Sequence, residues 1–184
     1  MPLNNQFNNQ RNKLLTRCTL LITILLTPTL LQAEAFSANS SEPIRIQSDH
    51  AELDEQSGRS TYSGKVVITQ GTTILTSNKV IVYTDKSGLI KLEAFGSPAK
   101  FSHQQEGETL PTHAYGKEII YTRSDEKLTL IENAKLEQGK NTFQGSTIEY
   151  NTVSGVVTAE GGEKGSQRVE VIVHPEAKKT DDKK

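Results

Sequence analysis

The chain has 184 residues, of which 34% are hydrophobic, and its 21 basic and 22 acidic residues leave a net charge of −1 at pH 7. This balance offers no basic surface for nucleic acid, and the length suits one domain with one core. Because the sequence has no tryptophan and only five phenylalanines and five tyrosines, we expect a thin, extended arrangement and not a thick globular core.

The first 35 residues have the pattern of a secretory signal peptide. Basic residues at positions 11, 13 and 17 precede an apolar stretch over 18–31, and Ala33-Glu34-Ala35 forms a small-residue cleavage site. The apolar stretch contains Pro28 and is shorter than the ~20 residues of a spanning helix, which favours cleavage over a retained membrane anchor. Cleavage would also remove Cys18, the only cysteine, so the mature chain would have neither disulfide nor thiol chemistry.

The mature sequence consists of short runs in which apolar and polar residues alternate. The stretch from Tyr62 to Tyr83 shows the pattern best, with β-branched runs separated by Gln70-Gly71 and by Ser77-Asn78. Such alternation with Gly and Asn punctuation predicts strands joined by turns. We therefore expect an all-β domain over residues 36–174 and, because 175–184 has no apolar face, a disordered tail there.

Interruptions of the pattern predict where strands end. Residues 36–42 read as a polar leader, and the polar segment 102–110, followed by Pro111, predicts a loop. Between Leu89 and Phe95 the alternation places Ile90, Leu92 and Ala94 on one face. Further turns are predicted at Asp49-His50, Asp85 to Gly88, Gly96-Ser97-Pro98, Gly139, Gly145, Gly155 and Gly161.

Two segments have similar spacing at an offset of 68 residues. Val66-x-Ile68-x-Gln70-Gly71 superposes on Ala134-x-Leu136-x-Gln138-Gly139, and only the Gln-Gly pair is identical. An ancestral duplication and the convergence of two β-turn-β units both explain this spacing, and the residues leave the two explanations open.

Candidate catalytic residues are not grouped in the way that catalysis requires. Ser48-Asp49-His50 contains the residue types of a catalytic triad, but neighbours in a strand point to opposite faces, so a turn is favoured. The histidines at positions 50, 103, 113 and 174 lack a metal-ligand spacing, and we expect no metal site. The carboxylates of Asp49, Glu52, Asp54 and Glu55 are interpreted as a solvated hairpin and not as a glycosidase pair.

Five segments of the chain, which follow one another in the same order as in the family, resemble the OstA-like family of periplasmic lipopolysaccharide-transport proteins. The resemblance covers residue 42 to about residue 173 in the family's order, and it departs from the family at Glu132, where Gly is more common. The segments are Glu42-Pro-Ile-Arg-Ile-Gln-Ser-Asp-His-Ala-Glu-Leu-Asp, Tyr62-Ser-Gly-Lys-Val-Val-Ile-Thr-Gln-Gly, Ser77-Asn-Lys-Val, Gly96-Ser-Pro-Ala-Lys-Phe and Glu132-Asn-Ala.

The resemblance implies a fold and a function. The implied fold is an open, twisted β-jellyroll of about sixteen short antiparallel strands, in two sheets that form a V-shaped groove. The implied function is that of a periplasmic bridge, without enzymatic activity or cofactor, which carries lipopolysaccharide from the inner to the outer membrane and shelters lipid A acyl chains. Copies are expected to stack head to tail, with an inner-membrane transport component at the N-terminal edge and an outer-membrane lipopolysaccharide translocon at the C-terminal edge.

The alternation then predicts which residues face the lipid and which form the partner edges. The unpaired first and last strands of an open sheet are expected to bind neighbouring chains through Ile44, Ile46, Val169, Val171 and Val173. The basic residues beside these positions have two interpretations, contact with lipid phosphates or plain solvated surface, and they are Arg45, Lys65, Lys79, Lys91 and Lys100. The predicted lipid-binding residues are Ile44, Ile46, Leu53, Val66, Ile68, Ile74, Val80, Val82, Leu92, Phe101, Leu128, Leu136, Ile148 and Tyr150.

Two other classes of protein share these sequence features. A sugar-active β-solenoid enzyme has similar strands and turns, and so does a purely structural periplasmic filament. Glycan cleavage would identify the first, filaments without bound lipid the second, and co-purifying lipopolysaccharide the bridge.

Overall fold

In a computed structural model of the chain, the described residues are Phe36, 42–105, 107–163 and 167–175, and they fold as an all-β unit. The predicted signal peptide, the remainder of the polar leader and residues 176–184 of the predicted tail lie outside the described residues. No helix in the described part of the chain is long and apolar enough to cross a membrane. The strands are β1 (Arg45–Gln47), β2 (His50–Asp54), β3 (Arg59–Gln70), β4 (Thr73–Asp85), β5 (Gly88–His103), β6 (Thr112–Thr122), β7 (Lys127–Gln138), β8 (Asn141–Asn151), β9 (Val157–Glu160) and β10 (Glu170–Ile172).

All ten strands belong to one antiparallel sheet. From β3 to β8 each strand pairs with the next in the chain, as expected for hairpins joined by short turns. At one end β1 and β2 both pair with β3, and at the other end β9 and β10 both pair with β8. The sheet therefore has two different edges, at its first and last strands as predicted, and its antiparallel pairing excludes the parallel stacking of a β-solenoid.

A line of β-bulges crosses the sheet and bends each long strand. The register shifts at Ser63/Val66, Thr76/Lys79, Phe95/Ala99, Tyr115/Glu118 and Ile131/Ala134 on successive strand pairs. Bulges increase twist and redirect a strand, so this line divides the sheet into two halves that can fold toward each other. The described residues thus form ten strands, and the expected sixteen short ones are reached only by counting β3 to β8 as two segments each.

Three predicted turns are bulges inside strands. Ser77-Asn78 lies within β4, Gly96-Ser97-Pro98 within β5 and Gly145 within β8. The same residue types serve both features, because bulges also need small side chains and unusual backbone angles. At Glu132, where the sequence departs from the family, the chain has another bulge, and Glu132 and Asn133 have φ of +58° and +55°. The predicted loop before Pro111 is confirmed from residue 104, since β5 extends through His103.

The proposed internal repeat is present in the strand register. The pairs Ile68–Leu75 and Tyr62–Val80 of β3 and β4 recur, 68 residues later, as Leu136–Phe143 and Leu130–Ile148 of β7 and β8. The edge formed by β1 and β2 corresponds in the same way to β6, because Ile46–Ile68 recurs as Ala114–Leu136. The geometric repeat is confirmed, whereas common ancestry stays a hypothesis.

Candidate functional site

The inner face of the bent sheet carries one continuous apolar cluster. Except for Phe36, its members lie on β3 through β8, and all of them are almost completely shielded from solvent. Since the described residues include no helix that could cover this face, the two halves of the sheet pack against each other and enclose the cluster. Of the predicted lipid-binding residues, the cluster contains Val66, Ile68, Val80, Leu92, Phe101, Leu128, Leu136, Ile148 and Tyr150, with Ile46 and Val82 packed against it.

Two predicted positions are wrong in their orientation. Ile74 is 45% exposed on the outer face, and Leu75, at 0%, is the inward residue of that segment. Counting back in steps of two from Val80 selects Ile74, but the bulge between Thr76 and Lys79 changes the phase of the alternation. Ile90 is likewise exposed, and Leu89 packs against the core in its place.

The remaining predicted residues lie at the two sheet edges. Ile44 and Leu53 belong to the first edge and are 44% and 63% exposed. Val169, Val171 and Val173 lie at the last edge and are also exposed, although only Val171 falls within β10. Both edges thus display apolar side chains to solvent, and the strands β2 and β9, which the prediction did not include, share these edges.

Phe36 is buried in the interior, although the sequence places it in a polar leader. Its side chain is 1% exposed and packs edge-to-face against Phe101 and Tyr121, with ring centroids 6.1 and 5.7 Å away. The hydroxyl of Tyr121 donates to Glu126 at 2.7 Å and lies 3.3 Å from the Phe36 carbonyl. If cleavage follows Ala35, the first residue of the mature chain occupies the apolar interior.

Several interior residues were absent from the predicted set. Leu75, Ile119, Tyr121 and Leu130 are each 0% exposed and contribute the larger missing side chains. For Ile119, Tyr121 and Leu130 the signal was available, because each shares the alternation of a predicted strand, whereas Leu75 is out of phase with the alternation counted from Val80. The smaller missing members are Ala94, Ala99, Ala114 and Ala134, which fill the space near the bulges.

A cleft that is open to solvent lies outside the apolar interior. It has a volume of about 670 Å³, and its lining, beside the bulges, includes Pro98, Tyr115, Lys117, Glu132 and Lys135. None of the predicted lipid-binding residues lines it. The interior itself is filled by its own side chains, so an acyl chain could enter only by displacing them.

Charged residues of the outer face form paired arrangements. Tyr83 donates to Glu93 at 3.0 Å and Lys91 pairs with the same carboxylate, an arrangement that Tyr115, Glu137 and Lys135 repeat. Burial raises the pKa of Glu93, but these two partners bring it below its ordinary value. The ammonium of Lys91 is therefore engaged, whereas Arg45, Lys65, Lys79 and Lys100 are exposed.

The candidate catalytic residues lie in turns and on the surface. Ser48 donates to the His50 carbonyl at 3.0 Å, and the Asp49 amide donates to Gly64 at 2.9 Å, so the segment is a turn as expected. Asp49, Glu52, Asp54 and Glu55 are all exposed, in agreement with a solvated hairpin. Among the described residues, no group of three or more His, Cys, Asp and Glu side chains is arranged to hold a metal ion.

His103, at the end of β5, is a partly buried histidine. Its Nδ1 lies 2.8 Å from the Thr73 hydroxyl, and its buried Nε2 has no hydrogen-bond partner among the described residues. Burial lowers the pKa of His103 below its ordinary value of 6.5, because the charged imidazolium loses hydration there.

We expect this shift to make stability depend on pH. As the pH falls below about 6.5, the unfolded chain binds a proton at His103 before the folded chain does, so the free energy of unfolding decreases. His103→Asn should remove this part of the decrease in urea titrations at successive pH values. His50→Asn, at an exposed position, is the control, and an unchanged pH dependence in His103→Asn would show that burial of this ring is not responsible.

Comparisons with known proteins agree with this architecture. The family model described as LptA/(LptD N-terminal domain) LPS transport protein matches residues 45–156. The lipopolysaccharide export system protein LptH of Pseudomonas aeruginosa is 38% identical over 153 residues, covering 79% of this chain and 87% of its own. LptA of Haemophilus influenzae is 35% identical over 159 residues, covering 84% and 91%.

A solved structure extends the agreement to the fold. The crystal structure of LptH from Pseudomonas aeruginosa, described as the LptA-homologous periplasmic component of the lipopolysaccharide transport device, superposes with a TM-score of 0.67 at 36% identity, covering 73% of this chain and 96% of that one. The open antiparallel sheet is thus the β-jellyroll expected from the sequence. On both the sequence match and the fold, the chain belongs to the LptA/LptD N-terminal domain family of lipopolysaccharide transport proteins.

Proposed function

We propose that this protein binds lipopolysaccharide in the periplasm and bridges its transport from the inner to the outer membrane, with the lipid A acyl chains held against the inner face of the jellyroll. The observation that carries the proposal is the apolar cluster, which runs without interruption from β3 to β8 on one face of an open sheet. A lipid path needs such a face, whereas a sugar-binding cleft would need solvent-exposed aromatic platforms with polar groups beside them, and the aromatic rings of this face, among them Phe101 and Tyr121, are buried.

The acyl chains enter by replacing the packing of the interior against itself. The first and last edges are not hydrogen-bonded to each other, so the two halves of the sheet can part without breaking the ladders between strands. The bound acyl chains then cover the apolar side chains that opening uncovers, so the apolar surface stays shielded from water. The aromatic group of Phe36, Phe101 and Tyr121 lies in this path, and Phe36 is the member that leaves most easily, since it belongs to no strand.

The transport is passive along the protein. Each buried methylene contributes roughly 0.8 kcal/mol, so five methylenes held at one place give about 4 kcal/mol. One deep pocket would therefore trap the lipid, and a conduit needs many similar, shallow contacts. The movement is driven from outside, by the inner-membrane component at the first edge, and the outer-membrane translocon accepts the lipid at the last edge. Export by the predicted signal peptide places the chain between the two membranes.

Binding of chemically truncated ligands tests this function. The exported form of the chain should bind intact lipopolysaccharide at least about tenfold more tightly than fully deacylated lipopolysaccharide, because even two buried methylenes exceed the 1.4 kcal/mol that a tenfold change requires. Calorimetry with both ligands, at the same salt concentration, measures the ratio. Equal affinity for the two would indicate recognition of sugars or phosphates on the outer face, and would refute the acyl-chain site.

A further inference from the structure

We propose that successive copies of this chain join in the register that β5 and β6 already use inside each copy. The proposal rests on the head-to-tail assembly expected for the proposed function and specifies which residues meet. Its basis is the internal repeat, which makes the first edge equivalent to β6 and the last edge equivalent to β5.

The first edge reproduces β6. Ile46 pairs with Ile68 and Ala51 with Tyr62 on β3, and the residues 68 positions later make the same pairs between β6 and β7. In β6 one unbroken strand takes the place of β1 and β2, which are separated at the level of the bulge line. The corresponding pairs are Ala114–Leu136 and Ile119–Leu130.

The last edge reproduces β5. On β4, Leu75 and Val82 pair with Phe101 and Leu92, and their equivalents on β8, Phe143 and Tyr150, pair with Val171 and Val157. The two short strands β9 and β10 thus occupy the place of β5, with a longer excursion between them in place of the β5 bulge. Each half of the chain is one unit of the same sheet, and β5 joins β6 where the two units meet.

The junction between β5 and β6 therefore provides a template for the junction between copies. Its inward pairs are Phe101–Ala114, Ala94–Ile119 and Leu92–Tyr121. Transferred to the edges, they become Val171 with Ile46 of the next copy, Ala159 with Ala51 of the next copy, and Val157 with Leu53 of the next copy.

The chemistry of both edges fits this register. All six transferred inward residues are apolar, and their equivalents at the internal junction are no more than 2% exposed. Leu53 and Val171, by contrast, are 63% and 48% exposed because each lacks a neighbouring strand. On the outer face the same transfer, taken from the pair Phe95–Glu118, sets Glu160 opposite His50 of the next copy.

The joined edges would continue the apolar inner face from one copy into the next. A lipid would then cross the junction over the same kind of surface that it meets at β5 and β6. Because the two edges differ, the contact is heterologous and leaves a free edge at each end of the assembly.

Engineered disulfides test the register, since the exported form contains no cysteine once the signal segment with Cys18 is removed. Val171→Cys mixed with Ile46→Cys, and Ala159→Cys mixed with Ala51→Cys, should give disulfide-linked dimers under mild oxidation. Val169→Cys mixed with Ile46→Cys is the off-register control. Val169 lies two residues from Val171, about 7 Å along the strand, and this displacement exceeds the reach of a disulfide to Ile46. Each single variant alone is a further control, because it would form a disulfide only if the same edge of two molecules paired with itself.

The proposal expects the two matched mixtures to crosslink and the off-register and single-variant samples to stay at background. It would be overturned by equal crosslinking in the off-register mixture, by crosslinking of a single variant alone, or by no crosslinking in a mixture that light scattering shows to be associated. A chain that stays monomeric at all concentrations would overturn it as well. Lipopolysaccharide binding by the same variants is measured separately, so failure of the register is distinguished from failure of the lipid site.

Discussion

Replacing Tyr121 by alanine is expected to lower the free energy of unfolding by about 3–5 kcal/mol, as for other large aromatic side chains removed from a core. Tyr121 is 0% exposed, packs edge-to-face against Phe36 and donates a hydrogen bond to Glu126. Since the stability of a domain is typically about 5–15 kcal/mol, a decrease of this size would leave much of the population near unfolding at raised temperature.

Tyr121→Phe is the matched control, because it keeps the ring and removes only the hydroxyl. It should cost about 1 kcal/mol, the usual net value of one hydrogen bond. Urea unfolding followed by circular dichroism measures both variants. If Tyr121→Ala unfolded within about 1 kcal/mol of the parent chain, the interior would not be packed around this ring as described.

The alternation of apolar residues predicted the inner face correctly wherever a strand runs without a bulge. Leu128 and Ile148 follow period two within one half of the sheet, and both are buried. Ile74 fails because a bulge lies between it and the residues from which its phase was counted. A bulge inserts one residue and reverses the facing of everything beyond it, so errors of this kind come in whole segments.

The distinction between turns and bulges could not be made from single residues. Ser77-Asn78 and Gly71 both interrupt the alternation of apolar residues in the sequence. Ser77-Asn78 nevertheless lies within β4, whereas Gly71, with φ of +54°, is in the turn between β3 and β4. What decides is whether the neighbouring strand continues past the interruption, and that is a property of the whole sheet. The repeat shows the same point, since the register recurs although few of the residues 68 positions apart are identical.

The burial of Phe36 had no local signal. It follows a predicted cleavage site and precedes polar residues, so nothing nearby marks it as a core residue. Its place is decided by Phe101 and Tyr121, which are distant in sequence and leave an apolar space between their rings. Such long-range packing becomes visible only when the strands have been paired.

Photo-crosslinking along β5 is expected to label lipopolysaccharide with a period of two. Phe101 and Leu92 point into the apolar cluster, whereas Lys100 and Glu93 lie beside them on the outer face. Adjacent strand positions share the same backbone environment and differ only in the face to which they point, so each pair is its own control. At the first edge, Ile46 against Arg45 provides a second comparison.

This scan tests the central claim, that the acyl chains travel on the inner face of the sheet. A photo-reactive residue in place of Phe101, Leu92 or Ile46 should capture lipopolysaccharide in cells that are actively exporting it, and one in place of Lys100, Glu93 or Arg45 should capture little. A native fold must be confirmed for every variant by circular dichroism. Equal labelling at inward and outward positions, or stronger labelling at the outward ones, would contradict the account and place the lipid on the outer surface.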